Sequence, residues 1–154
     1  MLTFSIGSPA FKSGDNIPEK YTADGEDISP QIVWYDPPQG TKSFALICDD
    51  PDAPMGTWTH WVIYDIPGDA TGLPQAVPRE KNLPGGTRQG LNTWRKIGYG
   101  GPDPPPGKLH RYFFKIYALK GTLGIPAGAD KASLLRMIGN LVLGQAEFYG
   151  TYGR

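Results

Sequence analysis

Two histidines, His60 and His110, are the only imidazoles in 154 residues. Each stands at or near the start of a segment that reads as a β-strand. Each also follows a loop dense in proline and glycine. The first loop is Asp49-Asp50-Pro51-Asp52-Ala53-Pro54-Met55-Gly56, and the second runs from Gly98 to Gly107 through Gly100-Gly101-Pro102-Asp103-Pro104-Pro105-Pro106. Glycine lets a backbone N–H approach an anion closely and tolerates positive φ. Proline freezes φ. Side chains at strand ends beside such loops are placed before any ligand arrives, which favours binding. Asp50, His60 and His110 also have the ligand types of a metal site built from two histidines and one carboxylate. Their spacing lacks the close H-x-x-x-H pair that would favour a metal. No serine sits in a G-x-S-x-G elbow, and no nucleophile is identified. Each of these residues has a structural reading as well. A histidine on a half-apolar strand can be a satisfied core residue, and aspartates 49, 50 and 52 can be turn-formers.

Composition bounds the classes. Lysine plus arginine equals aspartate plus glutamate, 15 of each, so the chain has no bulk electrostatic reason to seek nucleic acid or an acidic membrane. Arg79, Lys81, Arg88, Arg95 and Lys96 are the densest basic stretch, and with no aromatic-basic module they read as a solvated loop. The single cysteine, Cys48, excludes an intrachain disulfide. It lies in an apolar run beside Asp49 and Asp50, which makes it a buried hydrophobe rather than a nucleophile. Residues 1–5 lack the basic and apolar regions of a signal peptide, and no apolar run reaches transmembrane length. The expectation is a cytoplasmic protein, one domain spanning 1–154, with no transmembrane association and no cofactor.

The 21 glycines and 16 prolines, in a chain still rich in aromatic and β-branched residues, call for many turns between short strands. Gln31–Tyr35, Ser43–Cys48, Thr59–Ile66 and Tyr112–Leu119 read as strands. The near-continuous apolar run at 43–48 suits a central strand. In 59–66, strict alternation sets Trp61, Ile63 and Asp65 against His60, Val62, Tyr64 and Ile66. Asp130 reads as a helix N-cap. Leu134, Leu135, Ile138, Leu141, Val142 and Gln145 then follow a helical stripe to about Phe148, weakened by Gly139 and Gly144. The predicted fold is mainly β, a β-sandwich with a C-terminal helix.

Two stretches carry a resemblance. Asp50-Pro51-Asp52-Ala53-Pro54 followed by Trp58-Thr59-His60-Trp61 resembles the first signature of the phosphatidylethanolamine-binding protein family. Gly100-Gly101-Pro102 through Gly107, then His110-Arg111-Tyr112-Phe113-Phe114, resembles the second. Pro9-Ala10-Phe11, Ile17-Pro18, Ser29-Pro30 and Gly150-Thr151-Tyr152 agree too, so the resemblance covers essentially the whole chain. The short Pro54–His60 stretch and a C-terminus that stops at Arg154 without an extra helical extension resemble the prokaryotic, Raf-kinase-inhibitor-like branch. That departure puts kinase regulation in doubt.

The resemblance implies a β-sandwich with a pocket for a phosphate-like anion. It implies that Asp50, His60, His110 and Tyr112 build the pocket, that Gly101 presents a backbone N–H, and that Pro54, Trp58 and Pro104 form the wall. It also implies a homodimer and, as another role, inhibition of a serine protease through surface loops. His60, His110, the Tyr112 hydroxyl and the Gly101 amide are all donors that suit a phosphate. Protonated imidazole donates best, so binding should strengthen as pH falls. As a carboxylate, Asp50 would repel an anion. It could pair with a histidine and hold it charged, be protonated itself, or receive the ammonium of an ethanolamine headgroup, and the histidine pairing is the favoured role. The reading is therefore a binding protein for a small phosphate-containing ligand or other anion, regulatory or inhibitory rather than enzymatic. A metal-dependent or acid-base hydrolase using the Asp/His cluster is the remaining alternative.

Overall fold

Residues 44–48 are apolar on both faces because they lie at the centre of the molecule. A computed structural model describes residues 2–154. In it β3 (Ser43–Asp50) is flanked by β4 (Trp58–Pro67) and β7 (His110–Leu119), and every one of its residues is buried. The five-stranded sheet has the order β6-β4-β3-β7-β8, with β6 at Arg88–Gln89 and β8 at Val142–Tyr152, and all its pairings are antiparallel. A three-stranded sheet, β1 (Ser5–Gly7), β2 (Ile32–Tyr35) and β5 (Gly72–Leu73), covers one of its faces. The helix α1 (Lys131–Ile138) covers the other. The architecture is thus the predicted mainly β sandwich with a helix toward the C-terminus.

Side-chain alternation assigns the faces. Phe44, Leu46 and Cys48 of β3 join Phe114, Ile116 and Ala118 of β7 in the core between the sheets, with Ile32 and Trp34 opposite. Ala45 and Ile47 point the other way and meet Leu134 and Ile138 of α1. Cys48 lies in the inner core, and burial pushes its thiol pKa well up. Asp130 caps α1 as expected, accepting from the Ser133 N–H at 2.9 Å.

Two expectations fail here, each for a physical reason. The helix does not reach Phe148. It ends at Ile138, and Gly139 and Asn140 turn the chain back. Residues 142–152 then pair with β7 from Leu119↔Val142 to His110↔Tyr152. Both residues of the Gly139-Asn140 turn are poor helix formers, and the ladder along β7 pairs ten of the eleven residues of the strand that follows. Of the two glycines that weakened the helical pattern, Gly139 caps α1, and Gly144 is a strand residue packed close, where a Cβ would lie 2.9 Å from Pro38 Cγ.

The alternation in β4 also slips. Against β3, one residue is extra between Ile63 and Ile66, where Asp65 takes φ 52°, and one between Thr59 and Trp61. Bulges of this kind re-aim the residues beside them. Ile66 therefore joins Trp61 and Ile63 in the inner core, while Val62 and Tyr64 stay on the helix side. The extra residue of the second bulge is His60.

Candidate functional site

At one end of the sandwich the inner faces of β3 and β7 continue beyond the apolar core as polar side chains. Even-numbered residues of both strands face inward, so Asp50, His110 and Tyr112 follow Cys48 and Phe114 toward that end. His60 would point away under strict alternation. The bulge turns it to the same side, where its ring lies edge-on to Tyr112 at 5.1 Å and to Trp94 at 4.9 Å. The structure thus brings together Asp50, Pro54, Trp58, His60, Pro104, His110 and Tyr112 around a pocket of about 200 Å³.

The two loops are stitched by paired contacts. The Asp50 carboxylate accepts from His110 Nδ1 through Oδ2 at 2.7 Å and from the Asp52 N–H through Oδ1 at 2.8 Å. Asp52 in turn accepts from Arg111, whose Nε and NH2 donate at 2.9 Å each and whose backbone N–H donates at 2.9 Å. That guanidinium holds the Asp52 carboxyl at a pKa of about 2. The Asp-Pro-Asp element therefore grips the His-Arg element residue by residue. Both carboxylate oxygens of Asp50 are thus engaged within the protein.

His60 is held differently. Its Nδ1 donates to the Gly100 carbonyl at 2.6 Å, and the Gly100 N–H donates back to the His60 carbonyl at 2.9 Å. A carbonyl only accepts, so the Nδ1 proton is fixed and Nε2 is the nitrogen that changes state. Burial holds the His60 pKa below its ordinary 6.5, outweighing the bond to Gly100 and the fields of Asp50 and Asp49. At neutral pH this imidazole is uncharged, so it donates from Nε2 only on acidification. Burial likewise raises the Tyr112 hydroxyl pKa, keeping it a protonated donor.

Two donors in this pocket lack protein partners. The Trp58 indole Nε1 and the Tyr112 hydroxyl are both buried and unpaired. Most buried polar groups are hydrogen-bonded, and an unpaired one costs roughly 1–3 kcal/mol. A larger neighbouring cleft of about 350 Å³ shares Trp94 and Asp103 with the pocket. Two of its polar side chains are already engaged: Arg79 Nε donates to the Tyr99 carbonyl, and the Tyr99 hydroxyl donates to the Tyr21 carbonyl.

Gly101 departs from expectation. Its N–H donates to Asp27 Oδ1 at 2.7 Å, away from the pocket. A Cβ there would lie 2.6 Å from Asp27 Oδ1 and from the Tyr21 carbonyl, and one on Gly100 would lie 2.5 Å from Trp94. These glycines serve close packing rather than anion approach. Trp94, Asp103, Ala53 and Pro105 also line the pocket and escaped the sequence reading. Trp94 lies within the basic stretch taken for a solvated loop, and its only signal was a large aromatic between polar residues. That stretch is tied down as well, since Arg88 belongs to β6.

Asp49 lies on the opposite face. Its carboxylate accepts from the Thr59 hydroxyl at 2.8 Å and from Lys131 Nζ at 2.6 Å, which pins α1 to the sheet. Among the described residues, no group of three or more His, Cys, Asp or Glu is gathered to hold a metal, and no helix is long and apolar enough to cross a membrane.

The model of the phosphatidylethanolamine-binding protein family matches residues 7–153. The chain belongs to that family, in its prokaryotic branch. It is 50% identical over 151 residues to a UPF0098 protein of Aquifex aeolicus, covering 97% of this chain and 88% of that one. A UPF0098 protein of Methanothermobacter thermautotrophicus is 50% identical over 150 residues, covering 97% and 99%. Among solved structures, a phosphatidylethanolamine-binding protein homolog from Chlamydia trachomatis superposes with a TM-score of 0.91 at 36% identity, covering 99% of this chain and 98% of that one. Escherichia coli YbcL gives the same TM-score at 33% identity and covers 99% of each chain. Membership in this family supports a ligand-binding protein.

Proposed function

We propose that the pocket binds a small phosphate-like anion, free or as the phosphate of a headgroup, and that the protein acts through this binding in a regulatory or inhibitory role. The observation that carries the reading is the pair of buried donors without partners, Trp58 Nε1 and Tyr112 Oη, on the wall shared with His60 and His110. An anion with several acceptor oxygens satisfies both at once and faces the histidines as well. Asp50 stays bound to His110 Nδ1. The similar Chlamydia trachomatis protein is a phosphatidylethanolamine-binding protein homolog, which agrees with a phosphate-bearing ligand. Nothing specific favours the metal-dependent hydrolase or the protease inhibitor.

The test is an NMR titration of the two histidines with phosphate and with phosphorylethanolamine. His60 and His110 should shift together and saturate. Tyr112→Phe removes one hydroxyl donor from a buried site and should weaken binding about tenfold. Histidine resonances that stay still in the wild type would sink the reading. A stronger response to phosphorylethanolamine than to phosphate would point to a headgroup.

A further inference from the structure

The two histidines of the pocket are held by unlike partners, and the difference has chemical consequences. His60 gives its Nδ1 proton to a neutral carbonyl, that of Gly100. His110 gives its Nδ1 proton to a carboxylate that is itself fixed by the Asp52 N–H. Asp52 is gripped in turn by Arg111, the residue after His110. The imidazole of His110 is 3% exposed and cannot readily turn over. In its neutral form the proton sits on Nδ1 and the lone pair on Nε2. A carboxylate behind an imidazole raises the electron density at the far nitrogen and stabilises the cation formed when that nitrogen is substituted.

We propose that Nε2 of His110 accepts a phosphoryl group from a small acyl phosphate, so that the anion pocket can be loaded covalently as well as reversibly. This rests on the anion-binding reading above. The lone pair on Nε2 forms the N–P bond. The P–O bond to the acyl group breaks, and its electron pair leaves with the carboxylate product. The Nδ1 proton stays on the ring, shared with Asp50, and no oxidant or second reactant is required. Water regenerates the histidine and releases phosphate.

Three features favour this step. The equatorial oxygens of a phosphoryl group in transfer need donors already in place, and Trp58 Nε1 and Tyr112 Oη are buried and unengaged beside His110. Pro54, Pro104, Pro105 and the two tryptophans leave the pocket walls mostly apolar, which slows hydrolysis of the product. A volume of about 200 Å³ accommodates a phosphoryl group with a short acyl chain.

The experiment incubates the full chain with acetyl phosphate and reads intact mass and phosphorus NMR, with inorganic phosphate titrated in parallel. The expected result is one acid-labile phosphoryl group on His110. It should be absent in His110→Gln and form about tenfold or more slowly in Asp50→Asn, which keeps the shape and loses the charge. Since the chain has only two histidines, peptide mapping of the wild type separates them even if a variant folds poorly. Wild-type protein that binds inorganic phosphate saturably and takes up no phosphoryl group, or takes it on His60, overturns this proposal and leaves the binding reading standing. Failure of both phosphate binding and phosphoryl uptake overturns the two together.

Discussion

His60 is the residue whose behaviour the geometry constrains most. Its Nδ1 is committed to Gly100, and burial holds its pKa below 6.5. The folded chain therefore keeps His60 neutral where an unfolded chain would begin to protonate it. The resulting stability is fully present above pH 6.5 and is lost as pH falls from there toward the lowered folded value. Thermal unfolding followed against pH should show this loss, and His60→Gln should flatten it. Anion binding runs the other way. A bound anion favours protonated His60, so affinity should rise as pH falls through the same range, and saturation with ligand should raise the His60 pKa. Sulfate is the suitable probe, since its charge does not change there. Affinity for sulfate that is flat with pH would remove His60 from the ligand contacts. The identities Asp50, His60, His110 and Tyr112 were legible because the motifs that contain them are unusual. The side on which His60 projects was not. It depends on a bulge, which is a property of two paired strands rather than of either sequence.

At the scale of the element, β8 and α1 show why pattern alone misled. Leu141, Val142 and Gln145 extend a helical stripe, yet Gln145-Ala146-Glu147-Phe148 also alternates polar and apolar, and β7 supplies a complete partner for that alternation. Tertiary pairing overrode a weak local preference. The strand runs at 43–48 and 112–119 were legible because a central strand is apolar on both faces and an aromatic-rich run has few other uses; the structure extends them to Asp50 and back to His110. Position fixed the rest: α1 is tied to the sheet by Lys131 and Asp49, whose side chains are 32% and 3% exposed. Lys131→Met strands a buried carboxylate with only Thr59 as its partner and should cost about 2 kcal/mol in a denaturant unfolding experiment. Adding Asp49→Asn should recover part of the loss, because the uncompensated charge is gone. A single variant as stable as the wild type would show that the pair contributes nothing and that apolar packing alone docks the helix.

The whole molecule places the pocket where three distant parts of the chain meet, and Arg154 braces one of them. Its Nε and NH2 donate to Asp24 at 3.0 and 2.7 Å, and its NH1 donates to Asp103 Oδ1 at 2.8 Å and to the Pro104 carbonyl at 2.6 Å. Its own carbonyl accepts from the Gly107 N–H. Asp103 and Pro104 line the pocket, so one guanidinium holds the second loop against the segment around Asp24. These contacts are near the surface, where ion pairs add little to stability. Their effect belongs to preorganisation: a wall already in place need not be ordered when a ligand arrives. Arg154→Ala should therefore leave the unfolding midpoint nearly unchanged while weakening phosphate binding about fivefold. Arg154→Lys keeps the charge but not the fork that spans Asp24 and Asp103, so its affinity should fall between the two. A purely structural arginine would lower the midpoint and the affinity together, and a bystander would move neither. Loss of affinity at constant stability is the result that assigns Arg154 to the wall of the pocket.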